Sequence, residues 1–233
     1  MAFEALPERL AQVRAELARL APQPVTIVAV TKGFGPDAIR AAMDAGLADI
    51  GENRVQEAVQ KQDELGAGGK GLGIRWHLIG HLQRNKARVV AGRFDLVHSL
   101  DSLELARELD RRSTTPQRVL VQVNVAGEVQ KSGCAPERAP MLARQVAELE
   151  QLRLEGLMTL APLTDDEDVQ RRTFRDLRIL RDRIKEEEGV WLPTLSMGMS
   201  GDYAPAVLEG ATVIRLGTAL FGPRGRGRGG ETP

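Results

Sequence analysis

The chain has 233 residues, with 32 basic and 32 acidic side chains and a formal net charge of zero. Balanced charge gives no global pull toward nucleic acid or anionic lipid, and no apolar run is long enough to span a membrane. A single cysteine, Cys134, excludes an intramolecular disulfide framework and suits a reducing compartment. These features predict a cytoplasmic protein with no nucleic-acid or membrane partner.

Strand-like and helix-like segments alternate along the chain. "MAFEALPERLAQVRAEL" reads as an amphipathic helix rather than a signal peptide, because charges interrupt it. Val25–Val30 is a continuous apolar run, as expected of a strand covered on both faces. Pro36 to Ala45 reads as a helix with Gly46 past its end. A short strand near Ala48–Ile50 leads into the helix of "GENRVQEAVQKQDEL". The loop "GAGGKGLG" imitates a phosphate loop, but it neither follows a strand nor opens a helix, so it reads as flexible surface.

"IRWHLIG" is a third strand, followed by a helix from about Gln83 to Val90. "FDLVHSL" is a fourth, with Asp101 or Ser102 capping "LELARELDRR". "RVLVQVNV" is the fifth strand, and Pro136–Leu149 is helical. "LRLEGLMTL" is the sixth, before a long amphipathic helix over Asp168–Glu188. "PTLSMGM" and "TVIRLG" are the seventh and eighth, separated by the short helix of "DYAPAVLEG". "TALFG" opens a last helical turn. Eight strand–helix units predict a closed (β/α)₈ TIM barrel with an extra N-terminal helix, and a doubly wound open sheet is the main rival. One domain over residues 1–222 and a disordered Gly/Arg-rich tail over 223–233 complete the expected organisation.

In such barrels chemistry gathers at the C-terminal ends of the strands. The unusual polar residues fall there: Lys32 after the first strand, Asn53 after the second, His77 on the third, Ser196 on the seventh, and Arg215, Gly217 and Thr218 at the eighth. A lysine in a barrel mouth can form a Schiff base with a carbonyl. The turns "SMGMS" and "LGTALFG" offer hydroxyls and backbone N–H groups suited to a phosphate. A carbonyl facing the lysine and a phosphate opposite describe pyridoxal 5′-phosphate (PLP), with sugar phosphates second. His77, His81 and His98 show no paired-ligand spacing, so no metal is expected.

"AVTKG", "IGENRVQE", "WHLIGHLQRNK", "VQVNVAGEVQKSG", "LEGLMTL", "LSMGMSGDY" and "VIRLGTALFG" occur in this order along the chain. Together they resemble the YggS/PROSC family, the PLP homeostasis proteins, from about Leu6 to Gly222. The resemblance implies a single barrel similar to the N-terminal domain of alanine racemase, in a chain too short for that enzyme's second domain, and so a monomer. It implies a covalent internal aldimine of PLP on Lys32. It implies that Ser196, Gly217 and Thr218 hold the phosphate and that Arg215 faces the pyridine nitrogen. Asn53, His77 and Met197 would line the cofactor cleft.

The implied job is non-catalytic PLP homeostasis: capture, buffering and delivery of PLP to PLP-dependent apo-enzymes. An arginine at the ring nitrogen cannot accept a proton, which makes PLP a weaker electron sink. The rivals are an amino-acid racemase on the same cofactor and a Schiff-base aldolase without it. The sequence departs from the family pattern at Arg54, His81, Arg84 and Gln130, which flank the implied cofactor residues.

Overall fold

The computed structural model describes residues 3–66, 72–128 and 130–223. Most of the "GAGGKGLG" loop and nearly all of the Gly/Arg-rich tail lie outside the described residues. Eight parallel strands pair in sequence order and close into a barrel: β1 (Thr26–Val30), β2 (Asp49–Glu52), β3 (Arg75–Leu78), β4 (Leu96–Leu100), β5 (Gln117–Gln122), β6 (Leu152–Met158), β7 (Thr194–Met199) and β8 (Val213–Leu216). β8 closes on β1 in the register Thr26–Val213 to Ala29–Leu216. The open-sheet rival is thereby excluded.

Helices α1 (Leu6–Leu20), α2 (Pro36–Asp44), α3 (Val55–Glu64), α4 (Ala87–Val90), α5 (Leu103–Arg112), α6 (Ala139–Ala147), α7 (Glu167–Glu188), α8 (Tyr203–Leu208) and α9 (Thr218–Phe221) surround the sheet. The expected helix over Gln83–Val90 is shorter: a 3₁₀ turn at Arg84–Lys86 precedes α4. Ser102 occupies the position before α5 but makes no side-chain cap; its hydroxyl donates to Asp101 instead. α9 is a single turn, and α1 packs beside it and α8. The stripe Leu6, Leu10, Val13 and Leu17 of α1 is buried there at the spacing of one helix face. The extra N-terminal helix therefore covers the seam that a full eighth helix would cover.

Side chains alternate between the two faces of each strand. Ile27, Ala29, Ile50, Trp76, Leu78, Val97, Val119, Val121, Leu195, Met197, Ile214 and Leu216 pack in one cluster with the helices. Leu96, Leu120 and Met158 form a separate cluster drawn from strands alone, which marks the barrel interior. Near the start of its strands the interior carries ion pairs, Arg75–Asp49 at 2.6 Å and Arg118–Glu155 at 2.7 Å. Gly156 lets β6 and β7 approach: a Cβ there would stand 1.9 Å from the Thr194 carbonyl oxygen.

Candidate functional site

Lys32 lies two residues beyond Val30 on the inward parity of β1, and both line one cleft at the C-terminal mouth of the barrel. A buried cluster grips the chain on each side of Lys32. Lys61 Nζ, 4% exposed as a residue, donates to the Thr31 carbonyl at 2.8 Å, to Glu52 Oε1 at 2.6 Å and to Glu57 Oε1 at 2.7 Å. The Thr31 hydroxyl donates to Glu52 Oε1 at 2.5 Å, and the Gly33 N–H to Glu57 Oε1 at 2.6 Å. Burial pushes the Glu52 carboxyl up from its usual range, against the pull of Lys61 and Thr31. Burial also acts on Glu57, but the hydrogen bonds from Lys61 and Gly33 outweigh it and hold its carboxyl low.

The cleft has a volume of about 520 Å³. Lys32 and Asn53 stand on one wall, and Gly217 and Thr218 stand on the β8 side, with Arg215 also on the cleft surface. Gly80 allows the loops after β2 and β3 to touch, since a Cβ there would fall 2.2 Å from the Asn53 carbonyl oxygen. At the β7 and β8 turns, Ser200 Oγ accepts from the N–H groups of Gly217 at 3.2 Å and Ala219 at 3.1 Å. Gly198 has a φ of +91°, and the turn after it brings Ser200 round to the start of α9.

Five of the eight expected cofactor residues, Lys32, Asn53, Arg215, Gly217 and Thr218, line this cleft together. His77, Ser196 and Met197 do not; parity accounts for Met197 and depth in the barrel for the other two. Met197 faces outward into the helix layer and is fully buried there. His77 and Ser196 face inward but sit below the cleft, in a row of hydrogen-bonded polar groups. Arg215 Nη1 donates to Ser196 Oγ at 2.7 Å. Ser196 Oγ lies 2.8 Å from His98 Nδ1, His98 Nε2 lies 2.9 Å from His77 Nδ1, and His77 Nε2 lies 2.9 Å from Asp49 Oδ1. The hydroxyl that reaches the start of α9 is that of Ser200, whereas Ser196 lies within β7.

Burial pushes His98 well below the usual imidazole range, and the charges of His77, Arg215 and Arg118 act in the same direction. Burial lowers Arg215 to about 10, with Asp202 opposing it, so the guanidinium stays charged at neutral pH. Tyr203 sits outside the cleft lining, and its hydroxyl donates to Glu16 of α1. Cys134 is buried, and burial raises its thiol to about 12. Among the described residues no cluster of histidine, cysteine and carboxylate suits a metal ion, and no helix is long and apolar enough to cross a membrane.

The donor set fits PLP by its own chemistry. It offers an amine for an aldehyde, a permanent donor for a ring-nitrogen lone pair, and the Ser200 and Thr218 hydroxyls for a phosphate. Ser200, which ends the "SMGMS" turn, is on the cleft as well, and sequence reasoning missed Gln122, Leu160, Ile79 and Lys131 there. Parity was the available signal for Gln122, which is the last residue of β5 and shares the inward face of Leu120.

Fold and cleft together define a lysine-bearing barrel of the alanine racemase type, and the family described as alanine racemase, N-terminal domain, matches residues 5–225. An alanine racemase of Clostridium difficile superposes with a TM-score of 0.73 at 15% identity, over 91% of this chain and 59% of the racemase, a likeness of fold alone. The pyridoxal phosphate homeostasis protein of Pseudomonas aeruginosa is 43% identical over 231 residues, covering 95% of this chain and 97% of that protein. PipY of Synechococcus elongatus, solved with PLP bound, is 38% identical with a TM-score of 0.83, over 93% of this chain and all of that one. The chain belongs to the pyridoxal phosphate homeostasis protein family.

Proposed function

We propose that this protein binds PLP reversibly in the cleft and serves PLP homeostasis in the cytoplasm, without turning over amino acids. The observation that carries this reading is the convergence of Lys32, Arg215 and the Ser200–Gly217–Thr218 turn on one cleft. The PLP-bound PipY structure and the names of the relatives support it. Bound PLP supplies a reactive aldehyde, and Lys32 is the amine placed to hold it as a Schiff base.

The hydroxyls of Ser200 and Thr218 at the Gly217 turn receive the phosphate, and Asn53 borders the ring. Ser196 acts on the cofactor through Arg215 rather than by touching phosphate. Arg215 donates to the ring nitrogen and leaves it unprotonated, which disfavours carbanion chemistry. Tyr203, tied to Glu16, is not placed to move a proton in the cleft. Residues 1–222 act as one PLP-binding domain, monomeric, with apo-enzymes as recipients of the released cofactor.

An absorption titration of the wild type and Lys32→Ala with PLP tests this. The wild type gains a Schiff-base band in the visible range and Lys32→Ala does not. A wild type that gains no band with excess PLP would defeat the reading. Exchange of the Cα hydrogen of alanine or serine at ordinary enzyme rates would replace it with the racemase.

A further inference from the structure

With both imidazoles neutral, the polar row inside the barrel runs in one direction, from a donor-only end to an acceptor-only end. A guanidinium has N–H donors and no acceptor, so Arg215 donates to Ser196 Oγ. The Ser196 hydroxyl then turns its proton toward His98 Nδ1. That nitrogen is thereby an acceptor, and the His98 proton sits on Nε2, facing His77 Nδ1. His77 in turn carries a proton on Nε2, which Asp49 Oδ1 accepts. Asp49 is acceptor-only: burial opposes its charge, but hydrogen bonds from His77 and Arg75 hold its carboxyl far below the usual range. With both rings neutral, this arrangement of protons satisfies every link; reversing the inner links would require His77 to carry both protons, with Ser196 Oγ accepting from Arg215 and His98 alike.

The row joins the two ends of the barrel. Asp49 is the first residue of β2 and borders a depression beneath α1, whereas Arg215 reaches the cleft at the opposite mouth. Arg215 is 3% exposed, and its partners Ser196 Oγ and the Thr159 carbonyl, 3.0 Å from Nη2, are neutral. A carboxylate in direct contact would take two of its N–H groups in a fork. Neutral acceptors leave the remaining N–H groups for a ligand. The row of hydrogen bonds links Ser196, and through it Arg215, to the Asp49 carboxylate at the far end, where Arg75 also binds that carboxylate.

We propose that Asp49, His77 and His98 are positioning residues that act through Ser196 to hold Arg215 as a donor in the cleft, and so keep the ring nitrogen of bound PLP unprotonated. The inference rests on the PLP reading above, and its test separates the two. The first measurement uses the protein without PLP and with ¹⁵N-histidine, in a long-range ¹H–¹⁵N correlation spectrum. His77 and His98 are both expected with the proton on Nε2 and a bare Nδ1. A proton on Nδ1 of either ring overturns the relay, whether or not the protein binds PLP.

The second measurement follows PLP labelled with ¹⁵N in its ring. In the wild type the ring nitrogen gives the shift of an unprotonated pyridine. His98→Leu moves that shift toward the protonated form and weakens PLP binding about tenfold, the loss of roughly one hydrogen bond. His98→Gln, whose amide accepts on one side and donates on the other, restores most of both. A folded His98→Leu protein with the wild-type shift and Kd overturns the proposal. Should His98→Leu fail to fold, Asp49→Asn is read by the same two criteria, since it keeps the shape of the acceptor and removes the charge. A wild type that binds no PLP sinks the PLP reading, while the tautomers still decide the relay.

Discussion

Lys32 is held in place by residues that never enter the cleft. Thr31 and Gly33 on either side of it are tied to Glu52, Glu57 and Lys61, and Lys61 bonds both carboxylates of that cluster. Lys61→Met would leave Glu52, whose side chain is fully buried, with the Thr31 hydroxyl but without the Lys61 ammonium. The expected cost is about 3–5 kcal/mol of stability, measured by denaturant unfolding, with PLP affinity falling in whatever fraction remains folded. At this scale the sequence was partly legible. Lys32, Arg215 and Gly217 follow from strand parity and turn chemistry, because a side chain two residues past an inward position stays inward. Met197 falls outside the cleft by the same parity in reverse, and His77 and Ser196 lie on the inward parity one layer deeper. A strand end brings one parity to the cleft, the other parity faces the helices, and inward residues one layer deeper serve the interior instead.

Among the elements, α1 and the strand glycines do the least visible work in the sequence. α1 reads as a generic amphipathic helix, yet it covers the barrel seam beside the single turn of α9. Leu10→Ala, at 2% exposure, is expected to cost about 2–5 kcal/mol, read from the shift in the urea midpoint at constant m-value. Gly80→Ala should act differently. Its Cβ would displace the Asn53 backbone rather than the core, so PLP binding should fall more than the unfolding midpoint does. The order of strands and helices was plain from the alternating pattern. The shortness of α4 and the missing side-chain cap at Ser102 were not, because both depend on how the loops pack at the barrel rim.

For the whole molecule, the barrel interior holds a polar column beside its Leu96, Leu120 and Met158 cluster, with charges at both ends of the column, and this sets a pH dependence. The folded state keeps His98 neutral far below the usual imidazole value of 6.5, whereas the unfolded chain protonates it there. The unfolded state therefore binds the extra proton, and the stability contributed by His98 falls as pH drops below 6.5. The slope approaches about 1.4 kcal/mol per pH unit until the folded pKa is reached. Thermal unfolding of the wild type against His98→Gln between pH 7 and 5 (roughly the imidazole window) should show this difference narrowing as pH falls. Parallel curves would mean that the folded protein takes up the proton as readily as the unfolded one. The column was not legible in the sequence. Its members come from five strands spread between Asp49 and Arg215, and only closure of the barrel aligns them.

The central claim is that one lysine in one cleft captures PLP. Its most direct test is borohydride reduction of the protein mixed with an equimolar amount of PLP, followed by peptide mapping by mass spectrometry. The account predicts a single dominant pyridoxyl adduct on Lys32, lost in Lys32→Ala. A dominant adduct on another lysine, or labelling no greater than in urea-unfolded protein, would contradict it.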